Sequence, residues 1–226
     1  MLPLGGKPSI QHVIERAKRI PGLSKVIVAT SISEKDDKLA EFCHSISAPV
    51  FRGSEDDVLD RYYQAAKGAR ADIVVRVTGD CPLIDPIESG KVVTKLTKEK
   101  LDYASNIHPP FLPDGLDTEA FTIQALERAW EEADKALERE HVTLYIYSHP
   151  EMFTMGCVNY DKNLSDFRLT LDRNEDYILL ERVFHLLKQR QQFGYLHEVV
   201  SLLGEHPSLL EINCMIKRNE GLNSPN

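Results

Sequence analysis

Two aspartates in this chain stand where carboxylates can do chemistry. Asp80 follows the run Ile73-Val-Val-Arg-Val-Thr-Gly79, and Asp172 ends the alternating run Phe167-Arg-Leu-Thr-Leu171. The first run is apolar and mostly β-branched, the pattern of a strand covered on both faces. Pro82 stops its continuation. Asp80 is therefore expected at the carboxyl end of a strand, the rim at which open α/β sheets bind ligands. Gly79 has no side chain and lets a phosphate or another backbone approach closely. A carboxylate at that rim suits a hard cation such as Mg²⁺ held against a nucleotide. In the second run Phe167, Leu169 and Leu171 share one face, and Arg168, Thr170 and Asp172 share the other. If the fold brings both strand ends to one rim, Asp80 and Asp172 make a two-carboxylate Mg²⁺ site with room for water and phosphate oxygens. Each has a plainer alternative: Asp80 as a turn residue closing a strand, and Asp172 as the N-cap of the following helix.

The elements that must position these groups follow from periodicity. Ser9 to Ile20 reads as an amphipathic helix, with Ile10, Val13, Ile14 and Ala17 on one face and Pro21-Gly22 at its end. Lys25–Thr30 and Ala48–Phe51 read as short buried strands around a helix from Glu34 to His44. A helix starts at Ser54, where Asp57 gives a capping-box spacing, and buries Val58, Leu59, Tyr62, Tyr63 and Ala66. The strand at 73–77 and a helix from Pro86 to Thr97 follow. Strands alternating with helices predict a parallel sheet with crossover helices. Residues 100–160 depart from that rhythm. They predict strands at Asp102–Asn106, Gly115–Phe121 and Met152–Tyr160, a Pro-rich loop at His108–Pro113, and helices at Ile123–Lys135 and Glu138–Ser148. This stretch reads as an insertion that covers the site or pairs subunits within one domain spanning 1–226. A helix at Asn174–Gln189 is buried through Leu179, Leu180, Val183, Phe184 and Leu187, and the rest is helical to about Asn219.

Composition narrows the class. The chain has 226 residues, 42% of them hydrophobic, enough for a substantial core. No window is long and apolar enough to span a bilayer, and the first residues lack the pattern of a signal peptide, which places the protein in the cytoplasm. Cys43, Cys81, Cys157 and Cys214 are far apart and form no C-x-x-C pair, so reduced thiols are expected. The net charge of −8 and the lack of a basic stripe argue against nucleic-acid binding. An anionic small substrate stays compatible, because a local cluster of Arg and Lys with a metal reverses the field inside a pocket.

Several segments together resemble a known family. Phe51-Arg-Gly-Ser-Glu-Asp-Asp-Val-Leu-Asp-Arg-Tyr62, Arg76-Val-Thr-Gly-Asp-Cys-Pro-Leu-Ile-Asp-Pro86, Asp102-Tyr-Ala-Ser-Asn106, Asp114-Gly-Leu-Asp-Thr-Glu-Ala-Phe121, Glu140-His-Val-Thr143 and Arg168-Leu-Thr-Leu-Asp172 occur in that order. The set resembles the sugar-acid cytidylyltransferases, which make CMP-Kdo and CMP-neuraminate, and is most similar to the spore-coat polysaccharide branch. The resemblance runs from Leu4 to about Leu187. It implies a three-layer, Rossmann-like nucleotidyltransferase fold of the nucleotide-diphospho-sugar transferase type, with a mostly parallel sheet. It implies a reaction in which a sugar hydroxyl attacks the α-phosphorus of CTP and releases pyrophosphate.

Carried over by motif, Asp80 and Asp172 would hold Mg²⁺. Arg52, Arg76 and Gly79 would lie near the nucleotide or the sugar carboxylate. Asn106, Asp117 and Glu119 would face the sugar. Their plainer alternatives are a surface salt bridge from Arg52 to Asp56 or Asp57, and a solvated strand face for Asp117 and Glu119. The family also begins with a central strand and a phosphate loop that this sequence lacks. Lys7 is the early basic residue left near the expected triphosphate path, and the chain as written is expected to be weakly active or inactive. The resemblance further implies a homodimer through residues 100–160. Two other classes stay open. One is a nucleotide-sugar glycosyltransferase, although Asp80 and Asp85 are too far apart for its Asp-x-Asp motif. The other is a catalytically impaired homologue that binds sugar or a partner.

Overall fold

The computed structural model describes residues 2–218. The chain opens with a ribbon of β1 (Pro3–Leu4) and β2 (Lys7–Pro8), then α1 (Ser9–Ala17), β3 (Val28–Ser31), a 3₁₀ turn and α2 (Asp37–Ser45), β4 (Val50–Gly53), α3 (Val58–Ala69) and β5 (Ile73–Arg76). After α4 (Pro86–Glu99) come β6 (Tyr103–Ser105), β7 (Glu119–Thr122), α5 (Ile123–Glu132), α6 (Ala136–Glu140), α7 (Leu144–Ser148) and β8 (Met155–Cys157). The chain continues through α8 (Asn174–Gln189) and α9 (Leu196–Glu205).

The alternation of strands and helices is the expected α/β architecture. Parallel pairing joins β3 to β4 and β6 to β8, while β7 runs antiparallel between β5 and β6. The result is a two-stranded sheet, β3–β4, beside a four-stranded sheet in the order β5–β7–β6–β8. No pairing joins β3 to β5. The strand expected at Lys25–Thr30 accordingly starts only at Val28. Lys25, Val26 and Ile27 are extended in sequence character but find no ladder partner among the described residues.

Other boundaries move for local reasons. The helix expected from Ser54 starts at Val58, because Asp57 is the cap and accepts the Asp60 amide at 2.9 Å. Ser54 supports that turn by accepting the Asp57 amide at 3.0 Å. The expected helix at Glu138–Ser148 is split by Val142, whose φ of 42° cannot continue a right-handed helix. Phe167–Asp172 alternates as expected but joins no sheet among the described residues. A single bridge ties Arg168 to Asp114, and the apolar face at Leu169 packs into the core formed with α8 and α9. The expectation at Asn219 lies outside the described residues.

Asp85 shows how the loop after β5 is fixed. It is 2% exposed and caps α4, accepting the Ile87 amide at 2.7 Å. Its other oxygen accepts the Leu196 amide at the start of α9, at 2.6 Å. One carboxylate thus serves two helix N-termini, where its charge also meets the helix dipoles. Replacing Asp85 by Ala is expected to cost about 2 kcal/mol, roughly 1 kcal/mol for each lost cap. The urea midpoint should fall with an unchanged m-value; an unchanged midpoint would show that neither cap matters.

Candidate nucleotidyl-transfer site

The two candidate carboxylates lie on adjoining segments. The Leu171 amide donates to the Asp80 carbonyl at 2.9 Å, and the Thr170 hydroxyl lies 3.4 Å from the same oxygen. The ends of β5 and of the 167–172 segment therefore meet at one rim. The Thr78 hydroxyl donates to the Asp80 carboxylate, which turns that side chain back over its own loop. The Asp172 side chain is 47% exposed and receives the Arg168 guanidinium at 2.7 Å. Its plainer role as a helix cap does not hold. The cap of α8 is Arg173, and the carboxylate serving this turn is Asp176, which accepts the Arg173 amide at 3.0 Å and the Asp172 amide at 3.1 Å. The carboxylate of Asp172 is left free of backbone duty.

Arg168 organises the floor of the site. Its guanidinium reaches Asp176 through two nitrogens at 2.9 Å, Asp114 at 2.9 Å and Asp172 at 2.7 Å. Burial alone would weaken its charge, but Asp176, Asp114 and Asp172 hold it above the usual arginine range. Asn213 closes the far side, donating to Asp176 at 2.8 Å and to the Arg168 carbonyl at 3.1 Å. Gly115 admits the segment at all. Its φ is 97°, and a Cβ there would lie 2.5 Å from the Leu169 carbonyl carbon.

A second acidic pair flanks this floor. Burial pushes the Asp114 carboxyl up, with Asp172 and Asp80 adding to the effect. Burial pushes Asp117 further, to about 6, although Arg218 bonds it and pulls the other way. Asp114 feels the charges of Asp172 and Asp80, and Asp117 feels that of Asp114, so these carboxylates are electrostatic neighbours.

The remaining candidates sit as follows. Asn106 is 1% exposed and clamps the 116–118 backbone, donating to Leu116 at 2.9 Å and accepting from Thr118 at 2.8 Å. Glu119 is buried on β7. It accepts from Arg76 at 2.5 Å, from the Tyr103 hydroxyl at 2.6 Å and from Thr143 at 2.7 Å. Arg76 and Glu119 thus form a cross-strand ion pair beneath the rim. Arg52 bonds the carbonyls of Ser31 and Ser33 and pairs with Asp37 at 2.7 Å, while Asp57 pairs instead with Arg139 at 2.6 Å. Lys7 pairs with Glu15 at 2.8 Å near the surface. Gly79 is exposed, and a Cβ there would come no closer than 3.4 Å to the Ile10 side chain.

Sequence reading left Arg168, Asp114, Asp176 and Arg218 without roles. Arg168 carried a usable signal, since it shares the alternating face with Asp172. Arg218 carried none, because its contact with Asp117 spans about half the chain. Among the described residues no three His, Cys, Asp or Glu side chains gather as a self-sufficient metal site. Asp80 and Asp172 suit a cation that takes its other ligands from phosphate oxygens and water.

Carboxylates held where the β5 loop meets the 167–172 segment suit nucleotidyl transfer, and comparison with known structures agrees. The structure superposes on a cytidylyltransferase from Leptospira borgpetersenii with a TM-score of 0.86 at 30% identity, covering 92% of this chain and 88% of that one. The chain belongs to the cytidylyltransferase family, whose sequence model matches residues 1–206. It is 36% identical to an uncharacterized protein of Methanocaldococcus jannaschii over 96% of this chain and 88% of that protein. It is 28% identical to the spore coat polysaccharide biosynthesis protein SpsF of Bacillus subtilis, over 91% and 87%. A CMP:2-keto-3-deoxy-manno-octonic acid synthetase shares the fold alone, with a TM-score of 0.60 at 16% identity over 84% and 91%.

The Asp117 environment has a pH signature. Its carboxyl holds its proton to about 6 when folded against an ordinary value of 3.8. A raised folded pKa contributes stability at low pH that is lost as pH rises through it. Asp117→Asn should therefore gain stability relative to the parent between about pH 4 and pH 6 and hold that gain above it. Parallel denaturation curves for the two proteins across this range would refute the assignment.

Proposed function

We infer that the protein is a Mg²⁺-dependent cytidylyltransferase that transfers CMP from CTP to an acidic sugar and releases pyrophosphate, in surface polysaccharide synthesis. The observation that carries this reading is the meeting of the Asp80 loop with the Asp172 segment in a chain of this family. In the reaction a sugar hydroxyl oxygen forms a bond to the α-phosphorus as the bond to pyrophosphate breaks. A divalent cation supplies neutralisation of phosphate charge when bound. Asp80 and Asp172 are the residues that would hold it. Thr78 and Arg168 fix their carboxylates before the nucleotide arrives, so little reorganisation is needed at reaction. Gly79 leaves space for phosphate oxygens beside Asp80. Asp117, half-buried with its pKa near 6, suits a hydrogen bond to a sugar hydroxyl, and a carboxyl in that range is matched to accepting a proton near neutrality. Glu119 and Arg76 act one layer deeper, bracing β5 against β7. Arg52 and Lys7 are candidates for the triphosphate side, each having to leave a present partner.

The same reading includes a homodimer through residues 100–160 and a cytoplasmic location; no described helix is long and apolar enough to cross a membrane. A second reading, a catalytically impaired homologue, is favoured by one observation: β5, which delivers Asp80, pairs on one side only.

Pyrophosphate release from CTP, UTP, ATP and GTP with Mg²⁺ and a panel of sugar acids separates these readings. The enzyme reading expects turnover with CTP, lowered about 10²-fold or more in Asp80→Asn and in Asp172→Asn. Turnover that survives both substitutions sinks the metal assignment. Thermal stabilisation by Mg²⁺–CTP, about 2.7 kcal/mol at a hundredfold excess over Kd, without turnover supports the impaired homologue.

A further inference from the structure

Asp117 is the outlier of its stretch. From Leu112 to Ala120 every other residue is buried, whereas the Asp117 side chain is 31% exposed. The backbone on either side of it is pinned. Asn106 donates to the Leu116 carbonyl at 2.9 Å and accepts the Thr118 amide at 2.8 Å. The direction in which Asp117 leaves the main chain is thus fixed from below. What stays free is rotation about its own side-chain torsions.

A group remote in the chain removes that freedom. Arg218 donates through Nη2 to Asp117 Oδ1 and through Nη1 to the Leu112 carbonyl at 3.1 Å. A guanidinium is a rigid planar fork, so bonds to two acceptors set its orientation as well as its place. Among the described residues Asp117 Oδ2 accepts no hydrogen bond. Arg218 arrives on a strap that follows α9. Leu209 is buried in the core formed with α8 and α9, and Leu210 and Ile212 pack against it. Asn213 then bonds Asp176 and the Arg168 carbonyl. The strap lies beyond residues 1–206, the part of the chain that the family model matches. It is already anchored by these buried groups. A partly exposed ion pair at its end adds little to stability, so the Arg218 contact calls for another reason.

We propose that Arg218 is a positioning residue for the transfer step: from the strap it orients Asp117 so that the unengaged Oδ2 meets the acceptor hydroxyl. This role rests on the cytidylyltransferase reading above. As the hydroxyl oxygen bonds to the α-phosphorus and the bond to pyrophosphate breaks, the hydroxyl proton passes to Oδ2. A carboxylate free to rotate presents that oxygen only part of the time, and a small misplacement at a reacting atom is costly in rate. Asp117 is also close enough to the Asp80 loop for its charge to be felt at Cys81. The groups that face it are Arg218, Asp114 and Glu119. Burial and the two carboxylates favour its neutral form, and the Arg218 guanidinium favours the ionised form that accepts a proton.

Pyrophosphate release with Mg²⁺, CTP and either Kdo or N-acetylneuraminate tests it on the full chain. Arg218→Gln is expected to lower kcat about tenfold or more with KM for CTP unchanged. Arg218→Lys, which keeps the charge and loses the fork, should retain part of the rate. Combining Arg218→Gln with Asp117→Asn should be no slower than Asp117→Asn, because the two residues act as one unit. A kcat retained in Arg218→Gln, or losses that multiply in the double variant, would overturn the inference and leave the cytidylyltransferase reading standing. A parent that turns over neither acid overturns that reading and this role with it. The NMR signal of the Asp117 carboxyl gives a readout free of turnover. In Arg218→Gln it should titrate at higher pH than in the parent, since the guanidinium that pulls the carboxyl down is gone. An unmoved titration also overturns the inference.

Discussion

The guanidinium of Arg168 is the constraint around which the rest of the molecule is arranged. A buried cation is expensive to remove from water, and its cost is offset only when carboxylates surround it with good geometry. Here three carboxylates come from three places in the chain: Asp114 from the loop before β7, Asp172 from the segment's own end, and Asp176 from the first turn of α8. Once those bonds form, the loop, the rim and the helix are no longer independent. Asn213 draws the segment after α9 into the same assembly. The outward-facing carboxylate of Asp172 is thus held from within by the Arg168 guanidinium, and its rigidity is inherited from the core.

The acidic balance of the chain acquires a meaning at this level. A protein of net charge −8 is a poor general host for a triphosphate, and its acids divide into two populations. Asp85, Glu119 and Asp176 are buried and fully committed to amides, hydroxyls or guanidinium groups. Asp172 is 47% exposed and Asp80 is part-buried, each meeting few donors. The first group builds; the second is available. What distinguishes them is the number of donors each meets, since a carboxylate that accepts several hydrogen bonds has nothing left to offer a ligand.

Much of this was legible from residue order. The apolar stripe of α8 lies where its periodicity puts it; the β-branched run before Asp80 is a strand but only part-buried, and the alternating run before Asp172 keeps its faces without joining a sheet among the described residues. The convergence of Asp80 and Asp172 was legible only as a condition, because spacing says nothing about which strand ends share a rim. Arg218, Asn213 and the second cap made by Asp85 were not legible. They depend on contacts between segments 101 and 111 residues apart in two cases and 45 in the third, and no periodicity encodes them. The displaced helix start had a different cause: Ser54 and Asp57 both suit a cap, and the choice between them is made by the backbone geometry at Asp57.

Gly115 has a consequence outside the test tube. Its backbone lies in the left-handed region, and the space a Cβ would need is already filled by the main chain of Leu169 and Thr170. No flexible side chain can step aside there, because the obstacle is the backbone that carries Arg168 and Asp172. Every amino-acid replacement at this codon therefore pries the floor of the site from the loop that frames it. In populations carrying a working copy of the gene, DNA variation at that codon should be confined to synonymous third-base changes.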